Sequence, residues 1–295
     1  MTAQTQGPTG PGETGPGETG RGGGHGGAPG HGDARSHGGP QAAALGSHDG
    51  PRAAARGIRI RRQAGFEART MLRNGEQVLV AVILPAMAMI GLTLAGVPDL
   101  GARRIDVVVP GVLALAVAST AFTSQAIATA FDRRNGVLRL LGTTPLGRDG
   151  LLGGKIIATA AVLTVHLVVL SVLGVALGWR PEASGVIPAL IGILLGAISF
   201  VCLAMLVAGR LRAEAVLAVA NLLWVVFLGL GLLLPTSTAP AGVGAVARLL
   251  PSGALGDAMR AALIHGTWPI REWSILLAWA VVSGVLATRI FRWSD

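Results

Sequence analysis

The distribution of apolar residues divides the chain into a polar N-terminal stretch and six long apolar runs. The runs cover residues 78–95, 107–130, 156–177, 186–208, 215–234 and 273–288. A helix that crosses a bilayer needs about 20 mainly apolar residues, and backbone groups in lipid must be hydrogen-bonded within their own segment. The pattern therefore predicts an all-α polytopic membrane protein with six transmembrane helices. The last run is short, and Ile270, Ile290 and Phe291 extend it toward the spanning length.

The first 56 residues differ in composition from the rest of the chain. They are rich in Gly, Pro and His, and the unit Thr-Gly-Pro-Gly-Glu occurs twice in tandem from Thr9. Such a stretch buries too little apolar surface to offset the loss of chain entropy on folding. We therefore predict a disordered cytoplasmic tail over residues 1–56 and a membrane domain over residues 57–295. The histidines of the tail are irregularly spaced, which favours a solvated tail over a metal site.

The content of charged residues and of cysteine narrows the class of protein further. Charged residues make up 13% of the chain, about half the share usual in soluble domains. The net charge of +9 invites a nucleic-acid interpretation, but nearly all basic residues are Arg in the tail and the short loops. No nucleic-acid-binding motif accompanies them, so we expect no nucleic-acid partner. A single cysteine, Cys202, excludes an intrachain disulfide framework, and we expect no metal site.

The arginines also predict the orientation. Basic residues near span ends favour the cytoplasmic side. With the N-terminus in the cytoplasm, the inner flanks carry more than twice as many basic residues as the outer loops. We therefore expect a multi-pass protein of the plasma (cytoplasmic) membrane with both termini cytoplasmic.

Two segments outside the spans have helical patterns. Residues 57–77 place Ile60, Ala64 and Ala68 on one side of a helix and several arginines on the other. This pattern favours an interfacial helix on the inner leaflet over an ordinary basic flank. Residues 241–264, between the last two spans, are apolar but interrupted by charges and a proline. They are too polar to span, so we expect an outer re-entrant hairpin or an outer surface helix.

The most distinctive polar segment is residues 131–150, between the second and third spans. Asp132 is suited to cap a short helix, and Gly142 and Pro145 are suited to end it. The arginines Arg133, Arg134 and Arg139 would then face solvent or a partner. A docking helix and a simple polar tether explain the basic charge equally well, because both follow the positive-inside rule.

The stretch AFDRRNGVLRLLGTTPLGRDGLLGGK, residues 130–155, resembles the cytoplasmic loop of type-2 ABC exporter permeases. The similarity is to the actinobacterial, daunorubicin-resistance-like multidrug branch. Arg134 stands where many members carry an acid. The resemblance extends over the six-span plan from about residue 57, and the tail is not covered. The residues that carry it are Asp132, Arg133, Gly136, Leu138, Leu141, Thr144, Pro145, Leu146, Arg148, Gly154 and Lys155.

The resemblance implies a function and a set of partners. The loop would be a coupling helix that sits in a groove of a separate cytoplasmic ABC ATPase. Two ATPase subunits would serve two permeases, as a homodimer or a related heterodimer, within the lipid bilayer. No catalytic residue and no cofactor is expected in this chain, because ATP and Mg would bind the partner ATPase. The coupling residues would be Asp132, Arg133, Arg134, Gly136, Leu138, Arg139, Leu141, Thr144, Pro145, Leu146 and Arg148.

Few polar residues lie within the predicted spans, and their small number indicates which kinds of cargo the protein could carry. They line a cargo path or hold helices together, and helix packing is favoured. The near absence of ionisable groups counts against an ion-coupled secondary transporter or channel, since those generally need such relays. A non-transporting scaffold or immunity factor is a further alternative. We expect a hydrophobic or amphipathic cargo. The polar residues are Ser119, Thr120, Thr123, Ser124, Gln125, His166 and Asn221.

Overall fold

The structure, a computed structural model, describes residues 56–73, 82–95, 103–137 and 147–290. Within these ranges every regular element is helical, as the apolar pattern predicts. The predicted disordered tail lies almost wholly outside the described residues and stays a prediction. The α-helices are α1 Arg56–Arg73, α2 Leu84–Leu94, α3 Arg104–Ala118, α4 Gln125–Arg134, α5 Gly147–Ala176, α6 Val186–Ala208, α7 Ala213–Phe227, α8 Ala241–Leu249, α9 Pro251–His265 and α10 Ile270–Ile290.

Five helical stretches in the described part are long and apolar enough to cross a membrane. They are Arg104–Arg134, Gly154–Ala176, Ala183–Ala208, Ala213–Leu232 and Ile270–Ile290. They correspond to the second through sixth predicted runs. The first run, 78–95, is described only from residue 82, and α2 within it is a shorter apolar helix. The second to sixth predicted spans are therefore confirmed in length and composition, and the first span stays a prediction.

The second span forms the centre of the helical domain. Its most apolar window is 83% buried, whereas the other four candidate spans are only 22–33% buried. Its buried run from Val108 to Ala118 contains mainly Val, Leu and Ala, which pack closely against neighbouring helices. The surrounding spans therefore expose large apolar faces, as expected for helices in contact with lipid or with another chain.

A π-helical turn, Ser119–Ser124, joins α3 to α4 within the second span. All six of its residues are buried. Phe122 from this turn packs edge-on against Phe227 of α7, with ring centroids 5.5 Å apart, and also lies near Phe200 of α6. The turn thus directs side chains toward several neighbouring helices at once, and such π-turns are frequent at functional positions.

The helix of the fifth span is broken near its C-terminal end. The helical path of Leu228–Leu232 is interrupted at Leu230 and Gly231, and Gly231 adopts a φ of +98°. A Cβ at Gly231 would lie 2.5 Å from the Cα of Gly253. Glycine is therefore required both for the backbone conformation and for the close approach of α9.

The segment between the last two spans forms α8 and α9, which meet at Leu250 and Pro251. Most residues of α9 are buried, and the helix packs against α3, α6, α10 and the broken end of the fifth span. This protein cover meets the condition for backbone that enters a membrane without crossing it. Entry into the membrane itself stays a prediction.

Helix α1 packs on the beginning of α5. Ala64 is buried, and a Cβ at Gly154 would come within 2.9 Å of the side chain of Gln63. Arg62 and Arg69 are exposed on the other side. A helix is therefore present at the predicted place, and its buried side contacts α5, while its position at the membrane interface stays a prediction. Phe66 is 70% exposed and is available for contact with lipid.

Candidate functional site

The polar segment between the second and third spans begins at a cluster that we call the polar corner: Asp132, Arg133, Arg134, Lys155 and Glu214. It joins the end of α4 to the beginnings of α5 and α7 and to the end of α6. Lys155 donates to Asp132 Oδ2 at 2.9 Å, and the lysine side chain is only 7% exposed. This ion pair joins the end of the second span to the beginning of the third span, on either side of the segment that connects them.

The role of Asp132 differs from the sequence expectation. The second span continues as a helix to Arg134, so Asp132 lies inside α4 rather than at the N-cap of a new helix. Its carboxylate faces α5 and binds Lys155. A capping residue needs non-helical backbone before the helix, and Asp132 does not have it.

Arg133 also differs from the expectation that it faces solvent or a partner. It is 4% exposed and donates from Nη1 to the carbonyl oxygen of Ala208 at 2.6 Å, and from Nη2 to the carbonyl oxygen of Leu211. The last carbonyls of a helix have no partner within the helix, and a cation near them is favourable. Arg133 therefore caps the end of α6 and has a structural role in the described chain.

Arg134 remains accessible. It forms an ion pair with Glu214 in the first turn of α7, and its guanidinium carbon lies 5.7 Å from the ring centroid of Phe131. Both charged side chains are more than half exposed, so the pair contributes little to stability. Glu214 of α7 therefore places a carboxylate beside Arg134 at the cytoplasm-facing end predicted for the second span.

Helix α4 is followed by Asn135 and then by Gly136, with a φ of +72°. A left-handed glycine here is the usual way to end a helix. Leu138, Arg139, Leu141, Thr144, Pro145 and Leu146 lie outside the described residues, and their predicted roles stay predictions. Arg148 lies at the beginning of α5, but its side chain is outside the described set.

The polar residues of the second span form interhelical hydrogen bonds. Thr120 Oγ1 lies 3.0 Å from His166 Nδ1. Gln125 Nε2 donates to Thr159 Oγ1 at 2.7 Å. These residues are buried and join the second span to α5, which agrees with the helix-packing interpretation.

Ser119 extends this pattern to the fifth span. It accepts a 2.8 Å hydrogen bond from Trp224 Nε1. Thr123 and Ser124 are buried in the same π-helical turn. Asn221, in contrast, is exposed on α7, and its side chain makes no hydrogen bond with another described residue. The interhelical bond expected for Asn221 is therefore absent within the described part of the chain.

An apolar groove of about 650 Å³ lies between α5 and α6. Leu113 of α3 and Met259 of α9 contribute to its lining, and Trp179 from the connection between the two helices also lines it. The lining is almost wholly apolar, so the groove suits acyl chains or other hydrophobic groups. Among the described residues, no cluster of His, Cys, Asp or Glu is suited to hold a metal ion.

A second buried arginine was missed by sequence reasoning. Arg260 of α9 donates to the carbonyl oxygens of Gly231 at 3.0 Å and Leu232 at 2.6 Å, where the fifth span is broken. Burial lowers the pKa of Arg260 to about 10, while the charge of Asp257 opposes that shift. The signal in the sequence is an Asp and an Arg at i, i+3 in an otherwise apolar helix. This spacing places the pair on one face.

One comparison with known proteins gives a match. The model of a family described as "ABC-2 family transporter protein" matches residues 104–289, which is more than half of the chain. The matched region begins with α3 and covers all five candidate spans, the polar corner and α9. No curated protein sequence matches the chain at a significant level.

Proposed function

This chain belongs to the ABC-2 family of transporter proteins, and from that premise we propose that it is the permease of an ABC exporter. Membership makes it a multi-pass membrane subunit of an ABC transporter, which implies a partner ABC ATPase. The proposal adds export from the cell, energy from ATP hydrolysis on that separate subunit, and contact with the ATPase through residues 131–150. The observation that carries it is the family match across all five candidate spans.

The polar corner supports the proposed contact with the ATPase. The segment of residues 131–150 connects the second span to the third. The buried Lys155 and the capping Arg133 hold the two ends of this segment against neighbouring helices. A force applied to this segment would therefore reach α4, α5 and α6 together. Arg134 is the exposed arginine of the corner. With Arg139 and Arg148, it is the group proposed to meet an acidic surface of the ATPase.

Several features support a hydrophobic or amphipathic cargo, such as a drug, a natural product or a lipid-linked molecule. The groove between α5 and α6 is apolar, and the polar residues around Thr120 bond to one another across helices. Charged groups are rare within the described spans, so a strongly hydrated ion would find few ligands there. We also propose that the chain belongs to the daunorubicin-resistance-like branch of these exporters.

The proposed assembly has two ATPase subunits and two permeases in the plasma membrane. The arginine distribution supports cytoplasmic termini, and with that orientation the polar corner would lie on the cytoplasmic side. ATP and Mg would bind the ATPase subunits, and this chain would carry no catalytic residue.

A transport assay tests export and its energy source. Inside-out vesicles, from cells that make this chain with its co-purifying ATPase, are loaded with an amphipathic fluorescent dye such as Hoechst 33342. We expect dye movement out of the bilayer on addition of ATP, insensitive to a protonophore and abolished by vanadate. Movement that needs an ion gradient and no ATP would contradict the proposal and favour a secondary transporter. No ATP-driven movement of any of several apolar dyes would contradict the proposed cargo class.

A further inference from the structure

Helix α1 has a basic surface on the side that faces away from α5. Most of its exposed side chains recur every three or four residues, so they share one side of the helix. At about 100° per residue they occupy an arc of about 140°. The sequence places no acidic residue within this arc. We call this surface the basic face of α1, and its exposed side chains are Ile58, Arg61, Arg62, Phe66, Arg69 and Arg73.

The four arginines of the basic face have no partner within the described part of the chain. Each is exposed, and none makes a hydrogen bond or an ion pair with another described residue. The arginines of the polar corner differ, because Arg133 donates to carbonyl oxygens and Arg134 is paired with Glu214. Four uncompensated positive charges on one side of a helix attract a surface of opposite charge.

The contact between α1 and α5 supports a position of α1 at the membrane boundary. A Cβ at Gly154 would lie 2.9 Å from the side chain of Gln63 and 3.7 Å from the backbone nitrogen of Ala64, so the middle of α1 lies against this glycine. Gly154 is the first residue of the candidate span Gly154–Ala176. Helix α1 therefore contacts the third span where its apolar sequence begins, which is the level expected for lipid headgroups.

Two apolar residues within the basic face favour a lipid surface over an acidic protein surface. Phe66 is 70% exposed and Ile58 is 48% exposed. Helices at a membrane interface combine arginines, whose charges reach the headgroups, with aromatic and aliphatic side chains that enter the acyl boundary. The basic face also extends over about 18 Å from Arg61 to Arg73, at about 1.5 Å per residue. It therefore fits an extended surface better than a single small ligand.

We propose that the basic face of α1 binds the headgroups of anionic phospholipids, such as phosphatidylglycerol, in the leaflet that α1 adjoins. With the predicted orientation, this is the inner leaflet. The inference goes beyond the proposed function, because it assigns a lipid partner to a helix outside the spans and holds for the permease without an ATPase. Guanidinium groups form paired hydrogen bonds with phosphate oxygens. Each arginine near an anionic membrane surface strengthens binding about fivefold.

Fluorescence quenching by brominated lipids tests the proposal at the basic face itself. In a Cys202→Ala background, Gly65→Cys is labelled with bimane, because residue 65 lies within the arc and a Cβ there meets nothing within 4 Å. The full-length chain is reconstituted without ATPase in phosphatidylcholine nanodiscs that contain brominated phosphatidylglycerol or brominated phosphatidylcholine. We expect stronger quenching by the phosphatidylglycerol at equal mole fraction. This preference should be lost in about 1 M salt, which shortens the Debye length to about 3 Å.

Two pairs of arginines provide the matched comparison. Arg62→Gln with Arg69→Gln removes two charges beside residue 65, so the preference for phosphatidylglycerol should fall about fivefold or more. Arg210→Gln with Arg212→Gln removes two exposed charges from the connection between α6 and α7 and should leave the preference at residue 65 unchanged. All four side chains are exposed, so the circular dichroism and the elution volume of both variants should match those of the labelled parent.

The outcomes separate the possible partners of the basic face. Equal quenching by the two brominated lipids would mean contact with lipid of any charge and would overturn the proposal. No quenching by either lipid would overturn it as well, and a change in bimane emission on addition of the ATPase would then identify a protein surface as the partner. An equal loss of preference in the control pair would mean a general charge effect and would contradict the proposal. The lipid preference is measured without ATPase, and ATP-driven dye movement is measured separately, so failure of the lipid contact and failure of the proposed export are seen independently.

Discussion

Replacing Arg133 by methionine tests the structural role of the polar corner. Arg133 donates two hydrogen bonds to carbonyl oxygens at the end of α6, and its side chain is buried. Hydrogen bonds from charged groups contribute about 1.5–3 kcal/mol each. The desolvation of the guanidinium offsets part of that gain, so we expect a net loss of about 3 kcal/mol for Arg133→Met.

Arg134→Met is the matched control, because the neighbouring arginine has the same charge in an exposed pair. Its ion pair with Glu214 is solvent-accessible on both sides, so its loss should cost at most about 1 kcal/mol. In thermal unfolding followed by size-exclusion chromatography in detergent, about 3 kcal/mol corresponds to a Tm decrease of roughly 6–12 °C. Equal Tm values for the two variants would refute the capping role of Arg133.

Three further predictions concern a close glycine contact, the ion pair of the polar corner and the buried Arg260. Gly111→Ala should destabilise the protein by about 1–3 kcal/mol, because the new methyl group would lie 2.6 Å from the carbonyl oxygen of Leu232. The control is Gly91→Ala, whose methyl group would meet no atom within 4 Å and which should leave the Tm unchanged in the same assay. A double-mutant cycle of Asp132→Asn with Lys155→Met should give a coupling energy of about 1–3 kcal/mol, and a value near zero would exclude a stabilising pair. Because the pKa of Arg260 remains near 10, the group is charged from pH 6 to pH 9, so the Tm loss on Arg260→Met should not change across that range.

The spans could be predicted from sequence because lipid imposes one dominant condition. Every confirmed span is a nearly continuous apolar run, and that pattern needs no knowledge of neighbouring helices. The sixth span appeared short, and the structure extends it over Ile270–Ile290 as the flanking isoleucines suggested. His166 was interpreted as a packing residue because a single ionisable group is a poor ion relay, and in the structure its Nδ1 lies 3.0 Å from Thr120 Oγ1.

Local features that depend on other helices could not be predicted. Arg133 was expected at the surface because it follows an apolar run, but its neighbours include the carbonyl end of α6, which is 75 residues away in sequence. The break at Gly231 lies directly against Gly253 of α9, and Arg260 of the same helix donates to the carbonyl oxygen that the break leaves free. The sequence pattern predicts on which side of its own helix a side chain lies. It does not predict which other helix that side chain contacts.

Purification of the complex from native membranes tests the central claim most directly. The chain is extracted in mild detergent, and the eluate is examined by mass spectrometry and for ATP hydrolysis. The native chain is compared with Arg139→Glu, in the segment proposed to contact the ATPase, and with Arg69→Glu, an exposed arginine of α1. Arg133 is left unchanged because of its structural role.

We predict a P-loop ATPase in near-stoichiometric amount with the native chain and with Arg69→Glu, and its loss with Arg139→Glu. Retention of the ATPase by Arg139→Glu would contradict contact through residues 131–150. Absence of any ATPase from repeated native preparations would contradict the central claim that this chain works as the membrane subunit of an ATP-driven exporter.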